Sequence, residues 1–292
     1  MLSLVFYCGH QVVPVASFSA EDLELRRIRN ATARLHPDKM FRPGNWPASC
    51  LTSKREKKPC PPFEHKIGHY RTCAVVGNGG ILLGSHCGAD IDAKDYVIRI
   101  DLPALTGFEK DVGRRTNMTV LNLDTPKRLE TSSRLKNKSL DAYQSRLRDI
   151  NGTVLLASRE SQPYLQEAFQ RYNYSFILLT SAESFRAARK INPIASMISG
   201  RNTTGHPSTG LATVLIATTF CDQLHLYGFF PFARDEKNRT ISYHYYPDDS
   251  VRKEPIVQDE KHPMDSEYNF YKGLHERSGG VLKLHIGECD KQ

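Results

Sequence analysis

The order of apolar segments predicts an α/β protein with a mostly parallel central sheet. From residue 72 onward, short apolar runs typical of buried strands alternate with stretches of helical periodicity. The first run, residues 73–76, stops at a glycine-rich turn, as the first strand of doubly wound, Rossmann-like folds does. Hydrophobic residues make up 39% of the 292 residues, which is enough for one large core.

Each element follows from its local pattern. The predicted strands are residues 73–76, 96–100, 118–123, 153–157, 176–180 and 224–227. The predicted helices lie near residues 20–35, 135–150, 162–171, 182–190 and 209–220. A last helix is expected after His262, because Pro263 suits a first helical position and Gly279 and Gly280 suit a helix end.

The chain divides by composition near residue 65. Residues 1–65 contain seven prolines, many charges and little periodicity, which predicts a stem or linker, whereas residues 66–292 have the texture of one domain. Residues 2–18 are mildly apolar but are interrupted by Gly9, His10, Gln11 and Pro14, which is too broken a pattern for a membrane span.

Two counts predict a secretory-pathway protein. Seven cysteines lie far apart without any CxxC pair, which suits disulfides better than a zinc site. Seven N-x-S/T sequons also indicate surface glycosylation. The predicted N-glycosylation sites are Asn30, Asn117, Asn137, Asn151, Asn173, Asn202 and Asn238.

The net charge of +8 allows an acidic partner. However, the Lys and Arg residues are scattered, and the sequence contains no zinc finger, RNA-binding signature or basic heptad helix. We therefore expect no nucleic-acid partner.

The glycine-rich turn after the first strand is the first candidate site. Backbone N–H groups and the Asn78 side chain would lie at the carboxyl edge of the sheet, where such folds bind ligands. A plain tight turn explains the same residues. A nicotinamide-dependent enzyme is a further alternative, but Leu82 occupies the third glycine position of its G-x-G-x-x-G fingerprint.

Three further segments carry polar groups suited to catalysis. Ser208, Thr209 and Gly210 open a predicted helix, where free N–H groups attract anions, although ordinary capping is the alternative. His244 lies in a His-Tyr-Tyr segment. His262 precedes a helix N-terminus, whose positive dipole disfavours imidazolium, so a neutral ring able to accept a proton is expected. Each histidine taken singly fits a structural role equally well.

The pair Asp90-Ile-Asp92 resembles the D-x-D metal sites of many nucleotide-sugar transferases. It lies in a polar loop before a strand and lacks further ligands nearby. We expect no bound metal.

Taken together, the motifs resemble the animal sialyltransferase family. The match extends over roughly residues 70–289, with the four motifs in the family's order and at suitable spacing. The large motif lies at residues 73–122, the small motif at 206–232, the third motif at His244, and the very small motif, H-x-x-x-x-E, at His262 and Glu267.

The resemblance implies a single catalytic domain with the family's variant of the glycosyltransferase-A fold. It also implies inverting, metal-independent transfer of sialic acid from CMP-sialic acid, without a cofactor. His262 would be the general base, and His244 would hydrogen-bond the leaving phosphate. The implied donor-binding residues are Asn78, Asp101, Ser208, Thr209, Gly210 and Phe230.

Within the family the chain most resembles the α2,8 branch, which implies a sialylated glycoprotein or glycolipid acceptor. The resemblance to this branch rests on Cys87, the Glu-Lys-Asp-Val-Gly stretch and Cys289. They imply disulfides Cys73–Cys221 and Cys87–Cys289; Cys50–Cys60 is a further expected pair, which leaves Cys8 unpaired. The family also implies a Golgi lumen location with a type II membrane anchor, which we expect to be missing from this sequence.

Three positions depart from the family pattern. Asp101 stands where the family has Asn, Phe230 where it has Trp, and Pro247 where an acidic residue follows the third motif. Two alternatives therefore stay open: a sialyltransferase of α2,3 or α2,6 linkage, and a donor-binding protein that has lost turnover.

Overall fold

The structure is a computed structural model that describes residues 19–43, 50–51, 67–172, 174, 176–181, 184–247 and 262–289. Within these residues the strands are β1 (Phe41–Pro43), β2 (Cys50–Leu51), β3 (Tyr70–Val76), β4 (Tyr96–Ile100), β5 (Met118–Val120), β6 (Val154–Ser158), β7 (Phe176–Ser181), β8 (Cys221–Tyr227) and β9 (Leu282–His285). The helices are α1 (Ala20–Thr32), α2 (Pro37–Met40), α3 (Gly88–Asp92), α4 (Glu109–Val112), α5 (Thr125–Ser133), α6 (Ala142–Asp149), α7 (Gln162–Phe169), α8 (Ala188–Ser199), α9 (Thr209–Ala217) and α10 (Met264–Arg277).

The described strands form one sheet in the order β1-β7-β6-β5-β4-β3-β8-β9, with β2 also pairing with β7. From β3 to β9 all neighbours are parallel, whereas β1 and β2 run antiparallel to β7 at one edge. The predicted α/β class with a mostly parallel sheet is therefore confirmed.

Helices cover both faces of this sheet, because successive strand residues point to opposite sides. In β3, Cys73 and Val75 join one apolar cluster with α1, α8, α9 and α10. Ala74 and Val76 join the other cluster with α3, α5, α6 and α7. Helix α9 is apolar on all sides and its residues 211–217 are buried, so it lies at the centre of the first layer.

Two predicted helices were placed wrongly. The helix predicted near 182–190 begins only at Ala188, and it continues through Pro193 because Ile191, Ile194 and Ile198 bury one face. The helix predicted near 135–150 is confined to α6, while α5 was missed. The strands β1, β2 and β9 were also missed, because two to four residues carry little periodicity.

Part of the segment expected to be a stem packs on the domain. Helix α1 contacts α8, and β1 pairs with β7. Ile28 and Leu35 are buried, and the Thr32 hydroxyl bonds to that of Thr218 at 3.0 Å. Residues 19–43 therefore contribute to the core, whereas the division at residue 65 stays a prediction.

Both disulfides implied by the resemblance are present. Cys73–Cys221 and Cys87–Cys289 join residues 148 and 202 positions apart, with Cα separations of 6.1 and 5.0 Å. The expected Cys50–Cys60 pair and unpaired Cys8 lie outside the residues whose side chains are described. No helix in the described ranges is long and apolar enough to cross a bilayer.

The sequon asparagines differ in accessibility. Asn117 is partly buried, and its Oδ1 accepts a hydrogen bond from the Val97 N–H at 2.9 Å. Asn173 lies outside the described residues. The other five are exposed: Asn30, Asn137, Asn151, Asn202 and Asn238. Glycosylation stays a prediction, and these five are the accessible positions.

Candidate active site

A cleft of about 340 Å³ lies at the carboxyl edge of the sheet. Its floor is formed where β3, β4, β5 and β8 end, which is where parallel α/β sheets bind ligands. The residues predicted for catalysis and donor binding all line it: Asn78, Asp101, Ser208, Thr209, Gly210, Phe230, His244 and His262. The fold thus brings together residues up to 184 positions apart, from Asn78 to His262.

The glycines after β3 are required by the close approach of two turns. The Gly77 N–H donates to the Tyr227 carbonyl at 2.8 Å, and the Gly79 N–H donates to the Gly228 carbonyl at 3.1 Å. A Cβ on Gly77 or Gly79 would lie 2.9 or 2.6 Å from the Gly228 oxygen. Packing against the turn after β8 therefore explains both glycines.

Asn78 joins this turn to two other segments. Its Nδ2 donates to the Ile100 carbonyl at 3.0 Å, and its own carbonyl accepts the Tyr245 N–H at 3.0 Å. Its Oδ1 is buried and has no hydrogen-bond partner within the described residues. Asn78 therefore lines the cleft while it anchors the segment that carries His244.

Asp101 follows β4 in the left-handed region, with φ of 64°. Its Oδ2 accepts a hydrogen bond from Asn122 and lies 3.8 Å from the Arg128 guanidinium. Its Oδ1 is buried without a partner among the described residues. Burial raises the pKa of the Asp101 carboxyl, although Thr125 and Arg128 favour its charged form.

The start of α9 is held by a buried carboxylate. Glu267 is only 4% exposed, and its Oε1 accepts the Ser208 N–H at 2.7 Å. The Ser208 hydroxyl donates to the other Glu267 oxygen and accepts the Leu211 N–H at 3.0 Å as the helix cap. Burial raises the pKa of Glu267, against the effect of the Ser208 hydrogen bonds.

This network changes the expected use of Ser208. The N–H and hydroxyl that were expected to hold the donor are engaged by Glu267. Thr209 and Gly210 follow, and no acceptor in the described part of the chain bonds to their backbone N–H groups. A Cβ on Gly210 would lie 3.1 Å from the Phe229 ring, so a larger residue here would be tightly packed. The positive end of α9 is thus open at Thr209 and Gly210.

His262 is oriented by the segment before α9. Its Nδ1 lies 2.8 Å from the His206 carbonyl oxygen. Because a carbonyl only accepts, Nδ1 carries the hydrogen, and Nε2 of the neutral ring is left as an acceptor. The ring lines the cleft, so the arrangement is suited to removing a proton from a bound group.

Comparison with known proteins identifies the family. The profile of glycosyltransferase family 29 (sialyltransferase) matches residues 48–278, more than half of the chain. The chain belongs to this sialyltransferase family. It is 33% identical over 235 residues to mouse alpha-2,8-sialyltransferase 8F, a match that covers 76% of this chain and 54% of the relative. The chain therefore spans about half the length of this curated relative.

Solved sialyltransferase structures are also similar to the chain. A mammalian sialyltransferase in complex with Gal-beta-1-3GalNAc-ortho-nitrophenol is 21% identical, with a TM-score of 0.46 and coverage of 75% of this chain and 70% of that chain. A second mammalian structure is 19% identical, with a TM-score of 0.46 and coverage of 94% and 87%. The alpha-2,3-sialyltransferase Cst-I of Campylobacter jejuni is 12% identical, with a TM-score of 0.45 and coverage of 77% and 80%.

The third sialyltransferase motif lies beside the glycine turn. His244 forms a backbone bridge with Gly79, and its ring lies 5.2 Å from that of Tyr246. Tyr243 contacts the same ring at 4.5 Å. These contacts hold the imidazole at the cleft wall.

Aromatic residues form one rim of the cleft. Phe230, which replaces the family's Trp, lies 5.1 Å from Phe232 and 6.0 Å from Tyr268, measured between ring centroids. Phe232 and Tyr268 contact each other at 5.0 Å, and Phe232 is 40% exposed. The substitution at Phe230 therefore retains an apolar edge at the site.

Several cleft residues were not predicted. Asn122 follows β5 and could have been found from the rule that site residues follow parallel strands. Arg186 lies in the longer segment between β7 and α8, where the sequence carries no motif. The other cleft residues outside the prediction include Asp124, Arg128, Tyr243, Tyr268 and Tyr271, whereas Glu267 was singled out only as part of the very small motif.

Asp90 and Asp92, the D-x-D pair, form hydrogen bonds and an ion pair within the protein. Asp90 pairs with Lys94 and accepts the Tyr227 hydroxyl at 2.5 Å. Asp92 accepts the Arg115 N–H at 2.8 Å. Asp90 also has ligand atoms of His285 and Cys289 nearby, all within 4.8 Å of one another, but the Cys289 sulfur is in a disulfide. These residues do not fit a metal site while that disulfide is formed.

Proposed function

We propose that the chain transfers sialic acid from CMP-sialic acid to a hydroxyl of a terminal sialic acid on a glycan, forming an α2,8 linkage. The observation that carries this proposal is the orientation of His262, whose Nδ1 is bound to the His206 carbonyl at 2.8 Å. Nε2 is then available in a cleft beside an open helix N-terminus. A base and an anion site in one cleft are what this reaction requires.

The donor would bind across the carboxyl edge of the sheet. The backbone N–H groups of Thr209 and Gly210 would hold an anionic group of CMP-sialic acid. Asn78, which lines the cleft, would contact the nucleotide part of the donor. The Asp101 carboxyl would accept from a donor hydroxyl, and Phe230 would pack at the edge of the same site.

The reaction then needs one proton transfer and one displacement. Nε2 of His262 takes the proton of the acceptor hydroxyl, and the oxygen attacks the anomeric carbon of sialic acid. The bond from that carbon to the phosphate oxygen breaks, and CMP leaves with the electron pair. His244 donates a hydrogen bond to the leaving phosphate. Attack opposite the leaving group inverts the anomeric configuration.

The acceptor class is supported by the relative. The 33% identical mouse protein is named an alpha-2,8-sialyltransferase, and Cys87–Cys289, the pairing implied by that branch, is present. The acceptor would be a sialylated glycoprotein or glycolipid. The disulfides and exposed sequons suit the Golgi lumen, where the family's type II anchor would hold the protein.

No metal or other cofactor is needed in this scheme. His262 takes the proton of the acceptor hydroxyl. His244 and the start of α9 stabilise the negative charge that develops on the leaving phosphate. The side chains of Asp90 and Asp92 serve hydrogen bonds within the fold.

The test is a turnover assay with CMP-sialic acid and a panel of acceptors. The panel contains sialylated and galactose-terminated glycoproteins and glycolipids, and linkage-specific sialidases identify the product. We expect transfer only to sialylated acceptors, with loss of turnover in His262→Ala. Transfer only to galactose or GalNAc would indicate α2,3 or α2,6 linkage. Binding of CMP without any turnover would indicate a donor-binding protein.

A further inference from the structure

Arg186 is a cation in the cleft for which the described part of the chain offers no ion-pair or hydrogen-bond partner. It lies in the segment between β7 and α8, outside the four family motifs, and lines the cleft. It forms no ion pair or hydrogen bond with the residues that the structure describes, although Asp124, Asp101 and Glu267 all act on it electrostatically. Burial lowers the pKa of its guanidinium. A partly buried cation of this kind is stabilised by a bound anion.

The position of Arg186 differs from that of the nucleotide turn. In the sheet, β7 is separated from β3 by β6, β5 and β4. Arg186 therefore enters the cleft from the flank opposite the glycines that follow β3. Its largest electrostatic interaction is with Asp124, which lies just before α5 on that same flank.

Arg186 is also close to the segment that positions His262. Helix α8 begins two residues after Arg186 and contacts α10, which follows His262. Asn192 of α8 donates to the Gly205 carbonyl at 3.0 Å, and a Cβ on Gly205 would lie 3.1 Å from Pro263. The segment that follows Arg186 is thus packed against the segments on both sides of His262, and the side chains of Arg186 and His262 line the same cleft.

We propose that Arg186 binds the carboxylate of the acceptor's terminal sialic acid and thereby selects anionic acceptors. This inference rests on the proposed function. A guanidinium matches a carboxylate with two parallel hydrogen bonds, which fixes orientation as well as charge. The donor's anionic group has its own site at Thr209 and Gly210, which leaves Arg186 for the second substrate.

The test compares Arg186→Gln and Arg186→Lys with the wild-type protein. The control is Arg189→Gln, an exposed cation three residues further along. Acceptors are a sialylated oligosaccharide and its sialic acid methyl ester. We expect Arg186→Gln to lower kcat/KM for the sialylated acceptor by about 10- to 100-fold, with a smaller loss in Arg186→Lys. The KM for CMP-sialic acid should change by less than about twofold, and Arg189→Gln should match the wild type in all of these constants.

The methyl ester gives a readout that needs no substitution. The wild type should lose activity on the ester by a factor similar to that of Arg186→Gln on the free acid. Arg186→Gln itself should not distinguish the two acceptors, because the two changes remove the same interaction. This comparison decides the question even if Arg186→Gln folds poorly.

Two results would overturn the inference. One is an increase in the KM for CMP-sialic acid that equals the loss on the acceptor, which would place the donor at Arg186. The other is unchanged discrimination between acid and ester in Arg186→Gln. A wild-type protein that uses no sialylated acceptor would instead contradict the proposed function.

Discussion

The carboxylate of Glu267 accepts both the backbone N–H and the hydroxyl of Ser208, with an N···Oε1 distance of 2.7 Å. This contact joins the first turns of α9 and α10 across 59 residues of sequence. It explains why the very small motif pairs a histidine with a glutamate five residues later. The glutamate fixes the helix start that forms one wall of the cleft, and the histidine enters the cleft just before it.

Replacing Glu267 with Gln should impair both stability and turnover. The amide offers one acceptor instead of two, so one Ser208 donor loses its partner in a buried site, at a cost of about 1–3 kcal/mol. We expect a lower Tm in thermal unfolding and a lower kcat. The exposed residue Glu276 on the same helix is the matched control, and Glu276→Gln should change neither. A Glu267→Gln protein with wild-type Tm and kcat would contradict this role.

Removing the imidazole of His262 should nearly abolish turnover while the fold survives. Loss of a general base typically lowers the rate by about 10²- to 10⁴-fold. The measurement is kcat with CMP-sialic acid, together with CMP affinity, which should be nearly unchanged. The exposed His275 serves as the control through His275→Ala. Retention of more than about a third of the wild-type rate would remove His262 from the mechanism.

Chelation of divalent metals should leave activity unchanged. The groups assigned to the proton and the phosphate are His262, His244 and the start of α9. Asp92 accepts backbone N–H groups of Arg114 and Arg115 at 2.8–3.0 Å, so its oxygens are in use. The assay is turnover after dialysis against EDTA. Loss of activity that manganese restores would show that a metal takes part.

Stability should fall at acidic pH because of one buried and one half-buried histidine, His225 and His285. Nδ1 of His225 lies 3.0 Å from Nε2 of His285, and both rings stack on Tyr227. Burial, reinforced for His225 by Lys94, lowers the pKa of His225 to about 3, and burial lowers that of His285 to about 4. Their pKa in the unfolded chain is about 6.5, so the unfolded state binds more protons below that pH.

The stability contributed by these two neutral histidines is therefore fully present above about pH 6.5, and it is lost as the pH decreases towards 4. Each histidine contributes at most about 1.4 kcal/mol per pH unit, and less where solvent screens the ring. Urea unfolding at pH 7 and pH 5 measures the slope. His285→Gln should reduce the slope, because it removes one titrating ring. Equal slopes in the wild type and His285→Gln would contradict the assignment.

The sequence predicted the central part of the sheet well and its edges poorly. The strand at Tyr96–Ile100 was predicted with its observed bounds because a buried parallel strand is a continuous apolar run. The edge strands β1 and β9 were missed, since their few residues have no pattern of their own and pair only because a neighbour is present. Helix α8 was displaced because Pro193 obscures the spacing of its buried isoleucines.

The candidate site, too, was predicted from the sequence only in part. Motif residues such as Asn78, His244 and His262 were predicted because they lie in segments that resemble a known family. Arg186 carries no such signal, since only the path of the chain after β7 brings it to the cleft. Ser208 was expected to bind the donor, but its hydroxyl donates to Glu267. A capping serine has the same local sequence in either case.

The sequence by itself determined the fold class, the family resemblance and the residue types at the site, because these depend on periodicity and on motifs within short segments. Only the tertiary structure decided which groups remain available to a ligand. Nε2 of His262 is available because Nδ1 is bonded to the His206 carbonyl. Among the described residues, no protein acceptor bonds to the N–H groups of Thr209 and Gly210 or to the guanidinium of Arg186, whereas the neighbouring Ser208 N–H is bonded to Glu267. Those contacts join residues far apart in the chain, and packing of the helices on the sheet selects them.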